Sequence, residues 1–460
     1  MKAQTKDNTR KSSLKSNFQP YPKYKDSKNR WLGKIPIHWD TIKLKFCSKI
    51  NPPKSELGDL DPETKVTFIP MEKISTSGGL NREETKKIED VYDGYTNFQE
   101  NDILIAKITP CFENGKGGLA NNLKNGLGFG STEFLVVRPT QVLDNRFFFY
   151  LTKTSFFRKI GEGEMKGAAG QKRVPNNFFR NFPQILPPKE EQKIIVNFLD
   201  RETSKIDRLI EKQEKLIDLL EEKRTALISK TITHGVSQDT EMEDSGIEWL
   251  MKKPKNWDVL KLKHCCEINP NKSEITAALL DKKATFLPME HIGFGEILDS
   301  SETGIVGELK DGFTYFREGD VLVAKITPCF ENGKGALAKD LTNRIGFGTT
   351  ELHVLRPNEK TSNKFLLYLT NSGFFRKVGE RMMHGSAGQK RVPSKFIKNF
   401  PVFLPPLDKQ EQIVKYLEDK LSNIDRVVQK NLESIKQLKE YRTALISAAV
   451  TGKIDVRGEV

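Results

Sequence analysis

The string AKITPCFENGKG occupies residues 106–117 and recurs letter for letter at 324–335. A shift of 218 residues is too long for a solenoid repeat and fits a domain plus a connector. Carried outward, the same shift aligns the chain without a gap from Trp31/Trp249 to Gly235/Lys453. WLGKIPIHWD faces WLMKKPKNWD, FIPMEKI faces FLPMEHI, and GFGSTE faces GFGTTE. AAGQKRVP faces SAGQKRVP, and FPQILPP faces FPVFLPP. The chain is a tandem duplication.

Each copy has two parts. Residues 31–189 and 249–407 mix short β-type runs (DILIAKI, DVLVAKI, FLVVRP) with Gly, Pro and Asn turns. That pattern predicts a compact mixed α/β domain. Residues 190–232 and 408–452 follow a proline pair, are rich in Glu, Lys and Leu, and have helical periodicity. Leu199, Ile206, Gln213, Leu220 and Leu227 form one heptad series, and Leu417, Ile424, Asn431, Leu438 and Leu445 the other. Each carries a polar residue at its middle position, where a buried polar group fixes register at a cost in stability. Narrow stripes on rods of roughly 60 Å predict that the two helices pair with each other rather than enter a globular core. Residues 233–248 read as a polar linker and 453–460 as a tail. Residues 1–30, with nine Lys or Arg against two Asp, read as a basic, disordered arm.

Lys and Arg total 75 against 61 Asp and Glu, a net charge of +14, which favours a polyanionic partner such as nucleic acid. No apolar run has the length of a membrane span. Five cysteines without close pairing fit a reducing cytoplasm. His264-Cys265-Cys266 lacks the spacing of a zinc site.

No catalytic signature is complete. NGKGG and GFGST look suited to phosphate, yet neither Lys116 nor Lys334 completes a P-loop. Asp102, Glu113 and Lys116 offer a metal-dependent nuclease as an alternative, although E-x-x-K is one residue longer than the usual E-x-K. A coiled-coil scaffold without nucleic acid is a second alternative. The remaining polar residues sit on turns. Lys107, Thr109, Asn114 and Lys116, with Lys325, Thr327, Asn332 and Lys334, surround Gly-bearing turns beside β-type runs. Gln171, Lys172 and Arg173, with Gln389, Lys390 and Arg391, follow A-A-G or S-A-G. Arg suits guanine, Gln suits adenine and Lys neutralises phosphate, so both sets are candidate DNA contacts.

The layout resembles the specificity subunits of type I restriction-modification enzymes, the HsdS proteins. DSGIEWL…P..W opens a copy, G/N-D-[IV]-L-[IV]-A-K follows, and F-P-x-x-L-P-P leads into an E/Q-rich helix, over about residues 26–452. The resemblance implies two target recognition domains, each docking on half of a bipartite double-stranded DNA site, held apart by an antiparallel coiled coil. It also implies two methyltransferase subunits carrying S-adenosylmethionine and restriction subunits using ATP and magnesium. This chain itself would be non-catalytic and without cofactor. Members of the family usually have dissimilar recognition domains; here they are near-twins, which predicts half-sites of nearly the same word.

Overall fold

In the computed structural model, residues 18–168, 170–237, 239–247, 250–386 and 388–459 are described. The chain forms two compact units. One comprises the described part of 1–212 together with 434–459, and the other comprises 213–433.

In the first unit the strands of two four-stranded sheets interleave along the chain. One has the order Thr85–Lys87, Lys65–Ile69, Leu127–Gly130, Thr96–Gln99. The other has the order Ser48–Ile50, Phe134–Pro139, Ile103–Ala106, Gly117–Leu119. Ile103–Ala106 is buried at every position, which is why its sequence shows a continuous apolar run instead of alternation. Ile69, Phe98, Leu104, Phe134 and Val136 build one small core, and Val66, Phe68, Val91 and Phe129 a second. The second unit repeats both sheets and adds a strand, Phe294–Gly295, parallel to Gly335–Ala336. That extra strand lies where the two copies diverge in sequence.

The glycines of GFG belong to this packing. A Cβ on Gly128 would stand 2.2 Å from the Phe98 ring, and one on Gly130 2.3 Å from the Ile69 carbonyl oxygen. The string that looks suited to phosphate is therefore a close-approach site between strands.

The long helices run Lys189–His234 and Leu407–Val450. Buried glutamines fix their starts. Gln192 accepts from the Asp144 amide at 2.7 Å and donates to the Val142 and Pro187 carbonyls, both at 2.9 Å. Gln410 does the same with Ser362, Lys360 and Pro405. This gives the glutamine after L-P-P its reason: each side chain satisfies three backbone groups that burial would otherwise leave unpaired. Within the first unit Arg442 forks onto Asp207 at 2.8 and 3.1 Å. Within the second, Arg224 pairs with Asp425. Advancing 17 residues along the central helix, from 207 to 224, retreats 17 along the distal one, from 442 to 425, so the helices run antiparallel.

The stripes are wider than a heptad seam. Ile413, Leu417, Leu421, Ile424 and Val428 share one cluster with Ile228, Phe365, Phe375 and Leu404, joined by the half-buried Ile217, Leu220 and Leu227. Each rod thus also packs into a globule, contrary to the expectation of helix-on-helix pairing alone. Leu199, Ile206 and Leu445 are buried, Leu438 half-buried. Gln213 and Asn431 are half-buried, and the Asn431 amide donates to its own helix at the Val427 carbonyl.

Residues 18–30, read from composition as part of a disordered arm, are ordered. Residues 1–17 lie outside the described residues, but Tyr24–Asp26 pairs antiparallel with Lys34–Pro36. Glu191, in the first turn of the central helix, accepts from the Tyr21 hydroxyl at 2.6 Å and the Trp39 indole at 3.1 Å. The linker likewise contributes a strand, Met242–Asp244, against Lys252–Pro254. The tail is tied down by the Asp455 amide, which donates to the Gln19 carbonyl at 2.7 Å. Trp249 lies outside the described residues.

Candidate nucleic-acid interface

Three segments meet beyond the end of strand Ile103–Ala106. The Lys107 amide donates to the Glu133 carbonyl at 2.9 Å, and the Val174 amide to the Lys107 carbonyl at 2.8 Å. The Thr109 amide donates to the Lys172 carbonyl at 2.9 Å, and the Lys172 amide returns to the Thr109 hydroxyl at 3.0 Å. The second copy repeats this lattice on Lys325, Glu351, Thr327, Lys390 and Val392 at 2.8–3.0 Å. Both copies have a cis peptide before the proline of ITP, Thr109-Pro110 and Thr327-Pro328. The repeated AKITPCFENGKG and AGQKRVP strings, about 60 residues apart in sequence, are thereby two halves of one loop cluster.

The candidate residues fall into separate groups. Gln171, Lys172, Arg173 and Asn114 are exposed, as are Gln389, Lys390, Arg391 and Asn332. Lys107 and Lys325 are half-buried beside them. Thr109 and Thr327 spend their hydroxyls knitting the loops together, so their role is internal. Lys116 donates to the Met71 carbonyl at 3.3 Å and Lys334 to the Met289 carbonyl at 2.9 Å, which makes both braces of a neighbouring turn.

The nuclease reading fails on geometry. Asp102 is fully buried and gripped by Arg138, and it also accepts from the Gln99 amide at 2.7 Å. Both oxygens of that buried carboxylate are committed to Arg138, which sets a positive charge where a metal would have to bind. Among the described residues no group of His, Cys, Asp and Glu is arranged to hold one. Cys265 and Cys266 are buried, and burial pushes the Cys265 thiol up to about 11.

Sequence reasoning missed two acidic residues of this cluster. Glu133 and Glu351 pair with Arg173 and Arg391 at 2.7 and 2.8 Å. The only hint was an acid kept in both copies of GFG[ST]TE in an otherwise basic neighbourhood. Arg391 holds the Glu351 carboxyl below its usual range. Lys153 donates to the carbonyls of Thr76 at 3.2 Å, Gly115 at 3.0 Å and Gly117 at 3.0 Å, tying a divergent loop to the shared turn. Burial, then Arg158 and Arg442, push its amine down to about 7. In the second copy Asn371 stands there and accepts from Arg376, which itself donates to the Gly333 and Phe330 carbonyls. No helix among the described residues is long and apolar enough to cross a membrane.

The family model for the type I restriction modification DNA specificity domain matches residues 36–221 and again 254–437. The chain is similar to the EcoAI specificity subunit of Escherichia coli, 46% identical over 167 residues, which are 36% of this chain and 28% of that protein. The EcoEI specificity subunit of the same organism is 41% identical over 187 residues, 40% of this chain and 31% of that one. The chain thus spans under a third of the length of these two relatives. The MjaVIII specificity subunit of Methanocaldococcus jannaschii is 24% identical over 78% of this chain and 80% of its own length. Among solved structures, a chain from a study of type I R-M complex assembly superposes with a TM-score of 0.69 at 17% identity, covering 91% of this chain and 99% of that one. The HsdS subunit from Thermoanaerobacter tengcongensis superposes with a TM-score of 0.52 at 18% identity, covering 91% and 98%. Together with the duplicated α/β globules and antiparallel helices, the double match places this chain in the type I restriction-modification DNA specificity family.

Proposed function

We propose that the chain is the non-catalytic DNA-recognition subunit of a type I restriction-modification complex, reading a bipartite double-stranded site. Its partners would be two methyltransferase subunits carrying S-adenosylmethionine, and restriction subunits using ATP and magnesium. The observation that carries the reading is the doubled loop cluster. Each copy holds an exposed Gln-Lys-Arg on the same backbone lattice, and the chain has a net charge of +14. Such a set offers base-edge readers beside a phosphate neutraliser. Because the two clusters share residues and bonding, their half-sites are the same word or nearly so. Divergence at 75–92 against 293–310, where the extra strand Phe294–Gly295 lies, allows a difference at one or two positions.

Single-molecule sequencing of methylated adenines in host DNA, with and without the gene, tests this. One bipartite motif should vanish with the gene. Unchanged methylation, in cells that make the partner subunits, would refute the function. Two unrelated half-sites would place specificity in the divergent loops instead.

A further inference from the structure

Resting on that reading, we propose that Glu133 and Glu351 are positioning residues that present Arg173 and Arg391 to one guanine in each half-site. Arg173 Nε lies 3.0 Å from both Glu133 carboxylate oxygens, and Nη2 lies 2.7 Å from Oε1. Arg391 meets Glu351 in the same way, Nε to Oε2 at 2.9 Å and Nη2 to Oε1 at 2.8 Å. The glutamate therefore occupies the side edge of the guanidinium fork. The end edge, formed by Nη1 and the outer hydrogen of Nη2, is left over. Among the described residues Nη1 of Arg173 has no partner, and that of Arg391 reaches only the Gln389 carbonyl, at 3.3 Å. Both side chains are about half exposed, at 46% and 44%.

Two parallel N–H donors on a fixed plane match the adjacent N7 and O6 acceptors of guanine, a pair no other base presents in the major groove. A phosphate also accepts two such bonds, but the glutamate places a like charge beside it. Both partners are held by backbone. The Glu133 carbonyl accepts from Lys107, and Arg173 exchanges bonds with Lys166 at 2.8 and 3.0 Å. The rotamer is thus ordered before DNA arrives, which lowers the entropy lost on binding. A purely structural latch explains less. The loops are already joined by backbone bonds, and exposed ion pairs contribute little to stability.

The test is methylome mapping with the full chain and its partner subunits in cells. The wild type should write a motif with a guanine in each half. Glu133→Gln should lower discrimination for that guanine in one half on the order of ten-fold, with the other half unchanged as the internal control for folding. Glu351→Gln should do the reverse. Arg173→Lys keeps the charge without the forked edge and should lose the same guanine. The exchanged pair, Glu133→Arg with Arg173→Glu, restores the latch but not the reader. An exchanged pair that writes the wild-type motif would overturn the inference, as would a wild-type half-site without guanine. If the wild type writes no motif, the proposed function falls and this inference with it.

Discussion

Arg138 holds Asp102 through both arms of its fork, Nε to Oδ1 at 2.7 Å and Nη2 to Oδ2 at 2.8 Å. Arg356 and Asp320 repeat the arrangement at 2.8 Å for each bond. The aspartate is buried and the Arg138 side chain is 22% exposed. Removing the carboxylate charge would leave the guanidinium only the partly exposed Glu56, at 3.3 Å, as an ionic partner. Asp102→Asn is therefore expected to cost about 3 kcal/mol, the lower end for a broken buried pair. Urea unfolding should show it, with no change on adding magnesium, because the carboxylate is not a metal ligand.

Lys172 and Lys334 should separate under salt. Lys172 is exposed on the loop cluster, so Lys172→Ala should weaken binding to all DNA alike and reduce the log–log salt slope by about one. Lys334 is engaged with the Met289 carbonyl, so Lys334→Ala should leave that slope in place. Binding titrations between 50 and 200 mM salt, of the order at which such slopes are read, distinguish them. Equal slopes for the two variants would contradict the assignment.

Lys153 gives the first unit a dependence on alkaline pH. Its amine titrates at about 7 in the folded protein, because burial disfavours the ammonium. In the unfolded chain it titrates near its ordinary value of about 10.4. Between those values the unfolded state binds a proton that the folded state does not, so stability rises with pH across that window. Lys153→Met should flatten the rise between about pH 7 and 10, measured by denaturant unfolding.

His353 acts on the acid side of the second unit. It is buried, lies 2.9 Å from the Val392 carbonyl through Nε2, and burial holds its pKa below the ordinary value. Its contribution is fully present above about pH 6.5 and is lost as pH falls through the depressed folded value. The first copy has Leu135 at this position. His353→Leu should remove this part of the acid sensitivity, seen as a smaller loss of unfolding midpoint as pH falls below about 6.5.

The sequence by itself determined the duplication, the alternation of globule and rod, and the exposed Gln-Lys-Arg. These are local or periodic properties: a repeat is visible as letters, and helix or strand preference follows from spacing within a few turns. It also marked Gln192 and Gln410 as part of an E/Q-rich start without giving their reason, which required the carbonyls they meet 5 and 50 residues away in sequence. Only the tertiary structure separated residues of the same type. Lys116 and Lys172 look alike as letters, yet one braces Met71 and the other is exposed. Asp102 looked available for a metal until Arg138, 36 residues on, was seen to fill both its oxygens. Glu133 looked incidental until Arg173, 40 residues on, was seen to lie against it. What a charged side chain does depends on which groups the fold sets within hydrogen-bonding distance, and pairings across strands and loops leave no periodic trace in the chain.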